Sequence, residues 1–215
     1  MLPLGTANDF ARGCGIPLEP YAALKLASEG AAKAIDVPSA NGVHFANVAS
    51  GGFGAEVTVG TDPQLKKALG GGAYALTGIV TAAKMKPYEG SFVSAMESAQ
   101  GNFIALAVGN SRQAGGGVQV TRKAFVDDGL LDPAVVSFFE MRDLGLVIEE
   151  LQDFDNPDNR FVHYRQLESV EIEVPGKLPI NLDGEPYRWD RVRFQVHPKA
   201  LRVVLPEDRP VLKGS

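Results

Sequence analysis

The pattern of apolar and polar positions along the chain changes near residue 32. Before that point, residues 8–13 and 20–29 carry apolar side chains at helical spacing, and Pro20 suits the first turn of the second segment. After it, short runs rich in β-branched and aromatic residues alternate with turn residues. The pattern therefore predicts two short helices followed by a strand-rich region.

The strand-rich region has regular spacing. We predict strands in AKAIDVPSA, VHFANVASG, FVSAMES, FIALAVGN, GGVQVTRKA and LLDPAVVSFFEM, and at about 161–164, 167–174, 178–182, 191–197 and 200–205. Two helices, at about 63–86 and 142–152, interrupt these runs, and the acidic stretch 153–159 is predicted to be a loop. The fold class is therefore mainly β with inserted helices (α+β), arranged as an antiparallel sandwich or barrel.

Composition narrows the class of protein. The chain has 215 residues, 45% of them hydrophobic, with 21 basic against 26 acidic residues and a net charge of -5. Because there is no long basic run, a nucleic-acid partner is not expected. The single cysteine, Cys14, excludes an intrachain disulfide and fits the cytoplasm, where we expect it to be a buried filler. The weakly charged stretch 69–85 is too short to span a bilayer.

Two segments have the composition of ligand-binding loops. LGTANDFA, residues 4–11, places a glycine before Thr6 at the predicted start of a helix, where N–H groups and a hydroxyl could receive a phosphate oxygen. The same residues could simply cap that helix. GNSRQAGGGVQV, residues 109–120, has three successive glycines, which indicate a bulge or a close approach by another part of the molecule.

Two further segments are acidic. KAFVDDGLLD, residues 123–132, is rich in oxygen ligands and suits Mg²⁺ or Ca²⁺, although an Asp-Gly turn explains it equally well. PINLDGEPY, residues 179–187, places Asp183 and Glu185 among apolar strand residues, where a carboxylate could act as a base or simply form a turn. The three histidines have no metal-ligand spacing, and no GxSxG motif is present.

The order of these motifs is more specific than any one of them. PLGTANDFA, GGFGAEV, GNSRQAGGG, DDGLLD and NLDGEP follow one another in a succession that resembles the YegS-like bacterial lipid kinases, in the superfamily of diacylglycerol kinase catalytic domains. The resemblance extends from residue 3 to about residue 206. It implies a remnant of a nucleotide-binding α/β domain at 1–32, a β-sandwich domain at 33–205 and a tail at 206–215. Since no GGDGT loop occurs, we expect the first α/β segment to be missing.

The resemblance also implies roles for individual residues. Thr6 would contact ATP, and Asn8 and Asp9 would support it. Asp128 would hold a Mg²⁺ ion through its carboxylate, together with the backbone carbonyls of Phe125 and Leu130. By the same resemblance, this ion would be distinct from the Mg²⁺ that accompanies ATP.

The same resemblance implies catalytic roles for the two carboxylates of PINLDGEPY. Glu185 matches the general base proposed for the family, and Asp183 would orient it or share its charge. A lipid hydroxyl is a poor nucleophile, so a carboxylate within hydrogen-bond reach would take its proton as the phosphoryl group is transferred.

The expected function is ATP-dependent phosphorylation of a lipid such as diacylglycerol or phosphatidylglycerol, by a chain that is incomplete for nucleotide binding. Its expected partners are ATP, the lipid and the cytoplasmic membrane surface, and an exposed apolar face would favour a homo-oligomer. One alternative is a related kinase with a soluble acceptor. Another is a non-catalytic sandwich that binds lipid or Mg²⁺. In the third, all the motifs are structural turns.

Overall fold

The structure is a computed structural model that describes residues 1–53, 55, 78, 81, 86–207 and 211–213. The helices that lie wholly within these residues are α1 (Asp9–Gly13), α2 (Pro20–Glu29) and α3 (Leu144–Gln152), the last preceded by a 3₁₀ turn at Met141–Asp143. These three helices confirm the predictions near 8–13, 20–29 and 142–152. The predicted helix at 63–86 lies, apart from residues 78, 81 and 86, outside the described residues.

Local chemistry explains where α2 begins. The Glu19 carboxylate accepts the N–H groups of Tyr21 and Ala22 at 3.0 and 2.7 Å, which satisfies two donors that have no partner inside the helix. Pro20 occupies the first helical position, where its missing N–H costs nothing. The helix buries Ala23 and leaves most of its other side chains exposed.

The strands form one large antiparallel sheet and a separate short hairpin. They are β1 (Ala32–Ala40), β2 (Val43–His44), β3 (Val48–Gly52), β4 (Tyr88–Val93), β5 (Ser98–Gly109), β6 (Gln113–Ala114), β7 (Val118–Gln119), β8 (Asp132–Ser137), β9 (Val162–Tyr164), β10 (Ser169–Leu182) and β11 (Glu185–Val204). The large sheet has the order β2-β1-β11-β10-β3-β5-β8-β9, and β4 pairs with both β10 and β5. The mainly β class is thus confirmed.

Strand lengths differ from the sequence prediction at several places. VHFANVASG forms two strands, β2 and β3, and the predicted strands GGVQVTRKA and LLDPAVVSFFEM are strand only over β7 and β8. The five strands predicted after residue 160 are three, because β10 and β11 continue through their turn-like residues. Gly176 and Lys177 have φ of 97° and 70° inside β10, where the pairing with β11 shifts register. Conversely, the predicted strand FVSAMES is broken by a turn, in which the Ser94 hydroxyl accepts the N–H of Glu97 at 3.1 Å.

Two apolar clusters hold together the strands around β10 and β11 and the N-terminal helices. The larger one is built from β10 and β11 and from the strands that face them, including Ile180, Phe194 and Phe103. The second cluster packs α1 and α2 against β1 and the end of the chain, and contains Phe10 and Cys14. Burial raises the pKa of the Cys14 thiol to about 12, as expected for a buried filler. This cluster holds α1 against the sheet.

Candidate active site

The acidic turn Asp183–Gly184 connects β10 to β11. Both residues have positive φ, 49° and 110°, the conformation of a type I′ turn in a two-residue hairpin. The Gly184 N–H donates to Asn181 Oδ1 at 2.8 Å. Glu185 follows directly as the first residue of β11, and it is exposed. The turn therefore presents the Glu185 carboxylate to solvent at the tip of the hairpin formed by β10 and β11.

The other carboxylate of this turn faces the protein. Asp183 accepts N–H groups from Ala46 at 2.6 Å, from Asn47 at 3.0 Å and from Val48 at 3.1 Å. Burial raises the pKa of Asp183, while these three donors act in the opposite direction. The hydrogen bonds described for Asp183 fix the start of β3, and none of them involves Glu185. The sequence expectation that Asp183 orients Glu185 stays a prediction.

Buried amides and a hydroxyl join this turn to the glycine-rich segment. Asn47 donates through Nδ2 to the carbonyl of Gln113 at 3.0 Å, and Ser111 donates through Oγ to Asn47 Oδ1 at 2.5 Å. Asn110 donates to the carbonyl of Ala46 at 2.9 Å. The sequence motif contained Asn110 and Ser111, yet their burial and this network were not predicted. A short polar pair directly after an apolar strand is the signal that could have found them.

The N-terminal loop around Thr6 is closed by Asn8. Its Nδ2 donates to the carbonyls of Pro3 and Gly5 at 3.1 and 2.7 Å, and its Oδ1 accepts the Gly5 N–H at 2.9 Å. Asn8 has a left-handed φ of 52° and makes no side-chain cap to α1. Its side chain therefore stabilises the loop and does not form the helix cap that the sequence also allowed. Thr6 is exposed on this closed loop.

Asp9 explains the three successive glycines. Its carboxylate accepts the N–H of Gly116 at 2.8 Å and of Gly117 at 2.7 Å. Residues 115–117 have φ of 63°, 87° and 100°, a backbone conformation that residues other than glycine rarely adopt. The close approach predicted from the glycines is thus made by α1. In this way the N-terminal loop, the glycine turn, the start of β3 and the acidic turn are connected by hydrogen bonds.

The acidic loop, residues 125–130, contains an unsatisfied carboxylate oxygen. The Asp128 side chain is only 1% exposed, and its Oδ1 accepts the Leu130 N–H at 3.1 Å. Its Oδ2 is buried and accepts no hydrogen bond from the described residues, with Lys213 Nζ 3.8 Å away. Burial is the main cause that raises the pKa of Asp128. An oxygen in this position suits a hard cation.

The residues around Asp128 decide how such a cation could be held. The described residues contain no group of three or more His, Cys, Asp or Glu side chains placed to hold a metal. Asp36 packs nearby, but its carboxylate is occupied by the N–H groups of Gly129 at 2.6 Å and Lys199 at 2.7 Å. A cation here would need backbone carbonyls as its other ligands, which Mg²⁺ and Ca²⁺ accept. The buried Asp128 oxygen thus suits the ion expected from the sequence, and the roles of the Phe125 and Leu130 carbonyls stay a prediction.

Asp132 is a second buried acid beside this loop. It accepts hydrogen bonds at Oδ1 from the Tyr164 hydroxyl and from Gln166 Nε2, the latter at 3.0 Å, whereas its Oδ2 is buried without a described donor. Burial raises the pKa of Asp132 to about 6. Its position at the start of β8 connects the acidic loop to the sheet.

Comparison with known proteins agrees with this architecture. The family described as the YegS C-terminal NAD kinase beta sandwich-like domain matches residues 46–205, and the diacylglycerol kinase catalytic domain matches residues 1–40. A crystal structure of a putative diacylglycerol kinase from Bacillus anthracis superposes with a TM-score of 0.74 at 23% identity, over 97% of this chain and 69% of that one. The latter likeness shows a shared fold.

Relatives similar in sequence extend over the whole chain. A probable lipid kinase YegS-like protein from Shewanella frigidimarina is 43% identical over 215 residues, 100% of this chain and 69% of the relative. Proteins with the same description from Pseudomonas aeruginosa PAO1 and Pseudomonas fluorescens Pf-5 are 45% and 46% identical, over 99% and 100% of this chain and 70% and 71% of the relatives. The chain belongs to the YegS-like lipid kinase family, whose members are phosphotransferases. The resemblance inferred from the motifs is confirmed.

Proposed function

We propose that this protein transfers the γ-phosphoryl group of ATP to a hydroxyl group of a membrane lipid such as diacylglycerol or phosphatidylglycerol. The observation that carries the proposal is the hydrogen-bonded connection from the N-terminal loop, through the glycine turn and the start of β3, to the acidic turn. Phosphoryl transfer depends mainly on positioning and charge stabilisation, so a rigid frame across these segments is what the reaction requires.

Glu185 is the proposed general base. Its neighbour Asp183 is held by three backbone donors and cannot easily turn toward a substrate, whereas no hydrogen bond is described for the exposed Glu185 side chain. A lipid hydroxyl within hydrogen-bond reach would give its proton to this carboxylate as the oxygen attacks the γ-phosphorus, and the bond from that phosphorus to the bridging oxygen of the leaving ADP breaks. Asp183 acts as a positioning residue, because it ties the hairpin tip to the start of β3.

Thr6 is the proposed nucleotide contact. Asn8 closes the loop on which the Thr6 hydroxyl is exposed, and Asp9 ties the adjoining helix to the glycine turn. The N–H groups of Gly116 and Gly117 already donate to Asp9, so they are not free to bind a phosphate oxygen of the nucleotide. The Thr6 hydroxyl is therefore the proposed donor to the nucleotide. Asn8 and Asp9 therefore support the nucleotide contact indirectly.

Mg²⁺ is the proposed ion of the acidic loop. Asp128 would bind it through the buried Oδ2, and the carbonyls of Phe125 and Leu130 would complete the protein ligands. The ion would supply positive charge that stabilises the ionised form of Asp128. The loop is also stabilised without an ion, because the Leu130 N–H donates a hydrogen bond to Asp128 Oδ1.

A lipid acceptor requires contact with a membrane surface. Among the described residues, no helix is long and apolar enough to cross a bilayer. We propose a peripheral contact, in which the acceptor lipid reaches Glu185 from the surface of the bilayer.

The test is transfer of label from γ-labelled ATP to mixed micelles that contain diacylglycerol or phosphatidylglycerol, in the presence of Mg²⁺. Glu185→Gln is compared with Glu168→Gln, an exposed glutamate outside the site. We expect labelled lipid from the parent and from Glu168→Gln, and a rate lower by about 10²–10⁴ for Glu185→Gln. ATP binding is measured separately by equilibrium dialysis.

Three results would contradict the proposal. Label that appears only in a water-soluble acceptor would favour the soluble-acceptor kinase. Binding of lipid by a folded parent that transfers no label would favour the non-catalytic sandwich. Equal rates for Glu185→Gln and the parent would remove Glu185 from the chemistry.

A further inference from the structure

A cavity lies at the end of the sheet where the turn 94–97 joins β4 to β5. Its volume is about 230 Å³, and the side chains of Phe92, Phe103, Val135, Leu167 and Val170 form apolar walls. Strand β5 runs from this cavity to the glycine-rich segment that borders the candidate active site. Phe103 and Gly109 are six residues apart on β5, which separates the two places by about 20 Å.

The charged groups at the cavity neutralise each other. Arg165 Nε and Glu97 Oε1 form an ion pair at 2.9 Å, and both side chains are about half exposed. His163 Nε2 lies 3.1 Å from the Ser137 hydroxyl, and burial, followed by the nearby Arg165, lowers the pKa of this imidazole. The rim thus offers hydroxyl and imidazole groups without an unpaired charge.

We propose that this cavity binds an uncharged amphiphile with a single alkyl chain, with the chain inside and a hydroxyl or ester head group at the rim. The inference stands independently of the proposed kinase reaction. The volume, about 230 Å³, is below the usual range of about 300–1,000 Å³ for the sites of larger ligands. A single short alkyl chain therefore suits the space better than a lipid with two long chains.

The rim selects against charged head groups. A carboxylate or phosphate that approached Arg165 would lie beside the Glu97 carboxylate, which already pairs with that guanidinium and would repel a second anion. An ammonium group would be repelled by the positive charge of Arg165. Hydroxyl and carbonyl groups can instead bond to Ser137 and His163 without breaking the ion pair.

The surface beside the cavity gives an apolar ligand a route to it. Met96 is 84% exposed at the tip of the turn, and Val93 next to it is 47% exposed. Ser94 and Glu97 of the same turn line the cavity. A lipid phase or a dispersed amphiphile that contacts this tip would lie next to the opening.

The experiment is a calorimetric titration of the full chain, without ATP, with 1-monooctanoylglycerol below its micelle concentration. Octyl phosphate and octyltrimethylammonium are the charged comparisons. Leu167→Trp fills the cavity, and Ala99→Phe narrows it from an exposed lining position whose change does not disturb the core. Leu201→Trp is the control, since Leu201 is exposed and remote from the lining.

We expect saturable binding of the glycerol ester, at least tenfold weaker binding to both cavity variants, and unchanged binding to Leu201→Trp. We also expect at least tenfold weaker binding of the two charged amphiphiles to the parent. Equal binding by the parent and Ala99→Phe would overturn the inference, as would equal affinity for all three head groups. Because the readout is binding without ATP, failure of the kinase reaction does not affect it.

Discussion

The acidic turn at residues 183–185 and the acidic loop at residues 125–130 can be compared by their carboxylates. In each region two carboxylates lie near each other, and the two have different hydrogen-bond partners. In the turn, Asp183 is satisfied by three backbone N–H groups, and Glu185 is left exposed to water. At the loop, Asp36 is satisfied by two backbone N–H groups, and Asp128 is left with one oxygen that is buried without a described donor. Each region thus contains one carboxylate whose oxygens bind backbone N–H groups. The other carboxylate has an oxygen that can still bind a ligand.

Exposure determines what the remaining carboxylate can do. Water satisfies Glu185 and can be exchanged for a substrate hydroxyl, so this group suits proton transfer. Water does not reach Asp128 Oδ2, and burial of an unsatisfied charge is costly, so this group suits a bound cation. The comparison teaches that a pair of acids in a turn must be assigned by the partners of each oxygen.

The largest effect on stability is expected from Asp183→Ala. The substitution removes an acceptor shared by three N–H groups at the start of β3, and should lower the free energy of unfolding by about 3 kcal/mol. Urea unfolding measures it, with the exposed Asp190→Ala as control. A loss below about 1 kcal/mol would mean that the turn does not depend on this carboxylate.

The next effect is a pH dependence at Asp132, measured in EDTA. Burial raises its pKa to about 6, above the value of about 3.9 in an unfolded chain, so the folded protein binds more protons between these pH values. Stability should therefore fall as pH rises from about 4 to about 6, by at most about 3 kcal/mol. Asp132→Asn should remove this part of the slope. Parallel stability curves for parent and variant would contradict the assignment.

A smaller effect is expected when the acidic loop binds Mg²⁺. At a concentration ten times the dissociation constant, binding should raise the stability of the parent by about 1.4 kcal/mol relative to EDTA. Asp128→Asn should show no such gain, because it removes the charged ligand. Thermal unfolding with and without Mg²⁺ measures the difference. An equal gain in Asp128→Asn would place the ion elsewhere.

The smallest effect on stability belongs to Glu185→Gln. Since Glu185 is exposed, the free energy of unfolding should change by less than about 0.5 kcal/mol. The same urea titration used for Asp183→Ala provides the comparison. A loss near that of Asp183→Ala would make both carboxylates structural and erase the difference between them.

The sequence predicted the local features of this molecule well. Helix α2 begins and ends as predicted, because Pro20 and the apolar spacing act within the segment itself. Strand β10 was predicted as two shorter pieces, because Gly176 and Lys177 look like a turn, and β11 was predicted as two pieces that leave out Pro198 and Lys199. Tertiary pairing absorbs them as an irregularity in a longer strand, which a local pattern cannot show.

The partners of the acidic side chains could not be predicted for a related reason. Asp9 bonds to glycines 107 and 108 positions away, and Asp183 bonds to N–H groups 135 to 137 positions away. Backbone donors carry no sequence signal, so the pattern named the carboxylates without naming what they hold. The three glycines indicated a close approach, and the structure identified Asp9 as the group that approaches.

The most direct test of the account compares Glu185→Gln and Asp183→Asn for both the rate of phosphoryl transfer to lipid and the free energy of unfolding. We predict that Glu185→Gln loses at least about 100-fold in rate at unchanged stability, whereas Asp183→Asn loses stability as well. A Glu185→Gln variant that is folded and phosphorylates lipid at the parent rate would contradict the division of roles between the two carboxylates.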